Sequence, residues 1–244
     1  MDTRKIISGG EVLYKQKIGL IGGFGAYATL DFYERFLKKF ASDCERNYPH
    51  IYMDNNYTMP SRTRALLCGD NYKEIVDEIC SSIQLMIDVN VDYIILICGT
   101  AHAFLPDIFI KIPEARNRII NIIECVKKTL NRKNIRKVLV VAAEGTLQNG
   151  VYEKKLDGIE CIVPQKEDYS QIRTFIEAVK QNKVDDNIAI QWYSFLDKFG
   201  CDNVLLGCTE LPVLVDSIDE KWKGKFNYFD PLEEVLDELK ERLS

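Results

Sequence analysis

The rhythm of apolar residues constrains this chain more than any other feature. Residues 17–21, Lys17-Ile18-Gly19-Leu20-Ile21, form a short apolar run that ends in glycines and reads as a buried strand. Tyr33, Phe36, Leu37 and Phe40 then recur at helical spacing, with Asp31, Glu34, Arg35, Lys38 and Lys39 on the wet face. A strand at 50–53 is followed by a helix marked by Ile75, Ile79, Ile83 and Met86, and then by a strand at 92–97. The pattern resumes with strands at 137–142 and 159–163, helices at 169–180 and 188–199, a strand at 203–206 and a closing helix at 232–243. Alternation of this kind predicts an α/β fold with mostly parallel sheets. Residues 1–16, with Gly9-Gly10 between two short apolar runs, read as an appended hairpin.

The rhythm also repeats. Asp92-Tyr93-Ile94-Ile95-Leu96-Ile97-Cys98 and Asp202-Asn203-Val204-Leu205-Leu206-Gly207-Cys208 share the pattern D-x-[IV]-[IL]-L-x-C, and the strand at 17–21 echoes the one at 137–141. We therefore expect two similar α/β domains related by a pseudo-two-fold axis. The first comprises 17–115 with 222–244, and the second comprises 116–221.

Charge narrows the function classes. The net charge of −5 argues against nucleic acid or an anionic membrane as a partner held by general electrostatics. No apolar stretch approaches the length of a membrane span, and no secretory leader is visible, so a cytoplasmic location is expected. Eight cysteines occur without any C-x-x-C pair, which removes the strongest zinc and thioredoxin-like signals. With only two histidines, His50 and His102, the chemistry must run with little imidazole.

Two cysteines stand where α/β sheets place their binding residues, at the carboxyl ends of strands. Cys98 precedes Gly99-Thr100-Ala101-His102, and Cys208 precedes Thr209-Glu210-Leu211-Pro212. Free N–H groups at a strand-to-helix turn favour a thiolate, and Thr100 and Thr209 are candidate helix caps. Read singly, each cysteine is equally a packed strand end. As a matched pair they point to chemistry.

These motifs resemble the aspartate/glutamate racemase family of amino-acid racemases that work without pyridoxal phosphate. The matching segments are Ile21-Gly22-Gly23-Phe24-Gly25-Ala26-Tyr27-Ala28-Thr29 (family I-G-G-M-G-P-x-A-T) and Asn55-Asn56-Tyr57-Thr58-Met59-Pro60-Ser61-Arg62-Thr63 (N-N-P-x-I-P-D-R-T). Cys98-Gly99-Thr100-Ala101-His102 follows C-N-T-A-H, Gly145-Thr146 with Gly150 and Tyr152 follows G-T-x-x-x-G-x-Y, and Leu206 to Pro212 follows L-G-C-T-E-[IL]-P. The resemblance implies a site between the two halves, in which one cysteine removes the α-proton and the other returns a proton to the opposite face. It implies Cys98 and Cys208 as the catalytic pair, Arg62 on a substrate carboxylate, and Lys180 on an acidic side chain. Asn56, Thr100, Thr146 and Thr209 would supply pocket hydrogen bonds. It further implies no cofactor or metal, an amino-acid substrate and a homodimer. Gly99, Ser61, Tyr57, Phe24 and Ala26 depart from the family pattern near this pocket, which bears on substrate identity.

Three other functions compete. One is a maleate isomerase-like reaction on the same architecture, and another is a non-catalytic amino-acid-binding descendant. The third is an NAD-binding enzyme, because Gly23-Phe24-Gly25-Ala26-Tyr27-Ala28 fits G-x-G-x-x-A after a strand, with Asp54 placed for a ribose.

Overall fold

The computed structural model describes residues 4–7, 11–218 and 224–244. The expected hairpin is formed by β1 (Arg4–Ile7) and β2 (Glu11–Tyr14), paired antiparallel with Ile7 opposite Glu11; Gly9-Gly10 lies outside the described residues. Strand β3 (Lys17–Gly22) is the centre of a parallel sheet of order β4-β3-β5, flanked by β4 (His50–Asn55) and β5 (Tyr93–Leu96). Ile18, Leu20 and Ile21 are all buried, as expected of a strand with helices against both faces. Those helices include α1 (Ala26–Lys39), α2 (Arg62–Cys68) and α3 (Tyr72–Asp88).

The second sheet repeats the plan. Strand β6 (Lys137–Val141) is central, with β7 (Glu160–Ile162) on one side and β8 (Asn203–Leu206) on the other, all parallel. In chain order the halves correspond: strand, helix, strand, two helices, strand. The helices of the first half are α1, then α2 and α3. Those of the second are α7 (Glu144–Gln148), then α8 (Tyr169–Lys180) and α9 (Asp186–Asp197). The likeness reaches individual hydrogen bonds. Ile97 N–H donates to the Ile21 carbonyl at 2.9 Å, and Gly207 N–H donates to the Val141 carbonyl at 2.7 Å. These donors immediately precede Cys98 and Cys208.

Part of one expected segment pairs elsewhere. Residues 222–244 were expected with the first half, but β9 (Asn227–Phe229) pairs with β8 and extends the second sheet to β7-β6-β8-β9. The final helix, α11 (Pro231–Arg242), buries Leu232, Val235, Leu236 and Leu239 and packs on α6 (Ile122–Arg132). Its apolar residues join a core shared by both halves, and ion pairs tie the segment back to α1. Arg35 pairs with Asp230, and Lys39 pairs with Glu233 at 2.7 Å and Asp237 at 2.6 Å. Among the described residues, no helix is long and apolar enough to cross a membrane.

Candidate active site

Both matched cysteines lie just beyond the third strand of their sheet, at the start of a helical turn. Cys98 leads through Gly99 into a short 3-10 turn (Thr100–Phe104) and then α4 (Leu105–Lys111). Cys208 precedes Thr209 and α10 (Glu210–Asp216), whose first turn holds Pro212. They are only 6% and 8% exposed, and both line one small cavity of about 70 Å³. The threonines next to them do not cap these helices through their side chains. The Thr100 hydroxyl hydrogen-bonds that of Thr146 at 2.8 Å, and Thr209 Oγ1 donates to Glu210 Oε2 at 3.4 Å.

Six of the expected site residues reach this cavity: Cys98, Cys208, Arg62, Thr100, Thr209 and Lys180. Thr146 stands behind it, fully buried, holding Thr100. Asn56 is not on its wall. Its amide donates to Glu78 Oε2 at 2.6 Å and its oxygen accepts from the Thr58 backbone N–H and hydroxyl, so the group braces the loop after β4.

Arg62 is fixed as the first residue of α2, which Ser61 caps by accepting from Arg64 N–H at 3.3 Å. Its guanidinium donates to the carbonyls of Pro60 (3.0 Å) and Phe24 (2.8 Å) and lies 5.1 Å from the centre of the Phe24 ring. Its Nε is buried without a hydrogen-bond partner. A planar donor fork held in this way suits a ligand carboxylate.

The electrostatics differ between the two thiols. Burial raises the pKa of Cys98, opposed by the Arg62 charge and by the N–H groups of Ala101 and Thr100. Burial pushes Cys208 up much further, reinforced by the Glu210 carboxylate, whose Oε2 accepts from Cys208 Sγ at 2.9 Å. Desolvation therefore outweighs the turn dipoles, contrary to the sequence expectation, and Cys98 is the thiol with more support for its anion. Glu210, only 3% exposed, was quoted in the motif without a role. Its position two residues after Cys208, in the first turn of α10, was the available signal. Burial opposes the Lys180 charge, yet Glu210 and Glu177 together hold the ammonium above its ordinary value.

One departure acquires a physical reason. A Cβ on Gly99 would lie 2.6 Å from the Gly207 carbonyl oxygen and 2.7 Å from the Tyr152 hydroxyl, so this backbone leaves no room for the family's asparagine. Tyr152, fully buried, donates from that hydroxyl to the same carbonyl at 3.2 Å. The dinucleotide alternative also loses its ground. Gly25 is the N-cap of α1, and Glu210 Oε1 lies 2.8 Å from the site of its absent Cβ. An anionic side chain at that helix start stands where a pyrophosphate would have to sit.

His102 supports the Cys98 turn and is not a base. Its Nδ1 lies 2.9 Å from the Cys98 carbonyl, which can only accept, and its Nε2 lies 3.4 Å from Ile122 N–H, which can only donate. The ring is thus neutral with its proton on Nδ1, and burial pushes its pKa down to about 4. An unfolded histidine titrates near 6.5, so below that pH the unfolded chain binds the extra proton and stability is lost as pH falls towards 4, by about 3 kcal/mol. We expect His102→Asn to flatten the fall in unfolding free energy between pH 6.5 and 4.5, measured by urea denaturation. An unchanged slope would refute the assignment.

The Asp/Glu/Hydantoin racemase family model matches residues 21–239. The chain belongs to this family. Broad specificity amino-acid racemase RacX of Bacillus subtilis (strain 168) is 24% identical over 213 residues, covering 84% of this chain and 89% of the relative. Glutamate racemase 3 of Caldanaerobacter subterraneus subsp. tengcongensis is 24% identical over 194 residues, covering 78% and 69%. Among solved structures, Picrophilus torridus aspartate racemase superposes with a TM-score of 0.76 at 23% identity, covering 93% of this chain and 94% of that one. Glutamate racemase from Francisella tularensis, solved with D-glutamate, gives 0.69 at 20% identity, covering 93% and 81%. These structural likenesses establish the shared two-domain α/β fold.

Proposed function

We propose that this chain inverts the α-carbon of an amino acid by a two-base proton transfer between Cys98 and Cys208. The observation that carries the reading is the cysteine pair itself: two buried thiols, at corresponding positions in two halves of like topology, on one cavity that also holds Arg62. Inversion needs a base on one face of the α-carbon and an acid on the other, and a pseudo-two-fold site supplies both. Arg62 takes the α-carboxylate, whose approach also satisfies the buried Nε–H. Its charge then stabilises the electrons that delocalise into that carboxylate when the α-proton leaves. In one direction the Cys98 thiolate takes the α-proton while the Cys208 thiol donates its own, leaving a thiol at 98 and a thiolate at 208. The opposite enantiomer reverses the transfer. The two titrate as a coupled pair. Glu210, already hydrogen-bonded to Cys208 Sγ, favours the protonated thiol, the form in which Cys208 acts as the acid.

Both proton-transferring groups come from the chain, so on this reading neither pyridoxal phosphate nor a metal takes part. The homodimer belongs to the same reading and is tested by the solution mass. Racemisation itself is tested by chiral chromatography of a panel of L- and D-amino acids incubated with the protein. Absence of inversion across the panel would overturn the proposal.

Glu210→Gln keeps an acceptor but removes the charge. Because L and D enantiomers are equal in free energy, kcat/KM must fall equally in both directions; we expect about 10²-fold. The limb of the pH profile that reports Cys208 should move to lower pH, since the carboxylate is part of what raises that thiol. An unshifted limb would mean that Glu210 is only packing.

A further inference from the structure

The cavity that holds the two cysteines adjoins a second space. Ser61, Thr63, Ala143, Ile176 and Lys180 belong to the walls of both, and the second chamber encloses about 290 Å³. Helix α8 forms one side of it. Tyr169, Ile172 and Ile176 follow one another at three- and four-residue spacing and share the face turned to the chamber. Leu67 of α2 adds an apolar contribution from the first half. Ile172 and Ile176 are buried, which fixes the shape of this wall.

The charges around the chamber are already answered. Arg173 pairs with Glu144 at 2.7 Å, Arg64 with Asp70 at 2.6 Å, and Lys180 with Glu177 at 3.1 Å. Lys180 also feels Glu210 from the catalytic side. Around the substrate, Arg62 and Lys180 already face Glu177, Glu210 and the one thiolate of the proposed cysteine pair. A zwitterion with a neutral side chain adds no net charge to this set. A second carboxylate would add an uncompensated negative charge beside the existing ones, and like charges in a partly desolvated site repel.

We propose that the chamber between α2 and α8 receives the substrate's side chain, that this side chain is uncharged and longer than that of aspartate, and that Tyr169, Ile172 and Ile176 select it. This rests on the racemase reading for its chemistry only, because binding can be measured without turnover. Glu177 at 3.1 Å and the Glu210 charge together offset the attraction of Lys180 for an acidic side chain.

Titration calorimetry of the full chain with methionine, leucine, aspartate, glutamate and lysine tests it, each as L and D forms and alongside α-proton exchange in deuterium oxide. Methionine and leucine are expected to bind at least tenfold tighter than the others. Ile172→Phe should weaken methionine at least tenfold by filling the chamber. Should that core variant misfold, Glu177→Gln gives a second reading. Freeing Lys180 should shift the glutamate-to-methionine affinity ratio at least tenfold towards glutamate. Tighter binding of aspartate, glutamate or lysine by the wild type would overturn the inference while exchange leaves the racemase reading standing. Binding of methionine without exchange would support the chamber and overturn racemisation. Binding of no amino acid would overturn both.

Discussion

Replacing Cys208 by serine is expected to lower kcat/KM for racemisation by about 10²–10⁴-fold, the usual range for losing a positioned acid or base. The same loss is expected for Cys98→Ser. Serine nearly fills the thiol's volume, so neither variant should move the thermal midpoint by more than about 2–4 °C. The hydroxyl keeps hydrogen-bonding capacity but does not form an anion at accessible pH, which isolates proton transfer from packing. At Cys208 the serine retains Glu210 as acceptor, so a retained hydrogen bond without activity separates the two roles. Because the equilibrium constant is unity, the fall must be equal from L and from D. A variant with near-wild-type kcat/KM would show that one thiol is only a packed strand end.

Arg62→Ala is expected to cost more than a hundredfold in kcat/KM. The guanidinium lies on the cavity wall, oriented by two backbone carbonyls and the Phe24 ring, with Nε left unsatisfied. A substrate carboxylate that loses this partner remains as a poorly solvated charge. Removing one member of a buried charge pair typically costs about 3–5 kcal/mol, and each 1.36 kcal/mol is a decade in rate. Arg62→Lys retains the charge but not the fork, and should recover only part of the loss. A small effect on kcat/KM for every substrate would remove Arg62 from carboxylate binding.

Much of the fold was legible because burial is written in periodicity. The helix expected at 169–180 is α8 residue for residue, since Ile172, Phe175, Ile176 and Val179 mark its buried side without interruption. The strand at 203–206 was equally clear, and the repeated D-x-[IV]-[IL]-L-x-C placed both cysteine turns. β9 was not, because three residues carry no period; its assignment comes from pairing with β8. The place of 227–229 in the second sheet follows from that one strand. At the site, residue types were readable but partnerships were not. Asn56 looked like a ligand donor, yet Glu78, on a distant helix turn, claims its amide. Gly99 looked like a lost contact, yet the Gly207 carbonyl and the Tyr152 hydroxyl crowd the space its side chain would need. Glu210 turned out to touch Cys208, because the first turn of α10 brings its carboxylate back over the thiol.

The central claim, that two thiols act on opposite faces of one carbon, is most directly tested by following α-deuterium during the first few per cent of reaction in deuterium oxide. Each pure enantiomer of an accepted substrate is used in turn. The account predicts that deuterium enters the inverted product from both starting enantiomers while the recovered substrate keeps its proton, because the acid that protonates the product is not the base that took the proton. Deuterium appearing in unreacted substrate as fast as in product, or substrate protons carried into product, would mean that a single group serves both faces, and would contradict it.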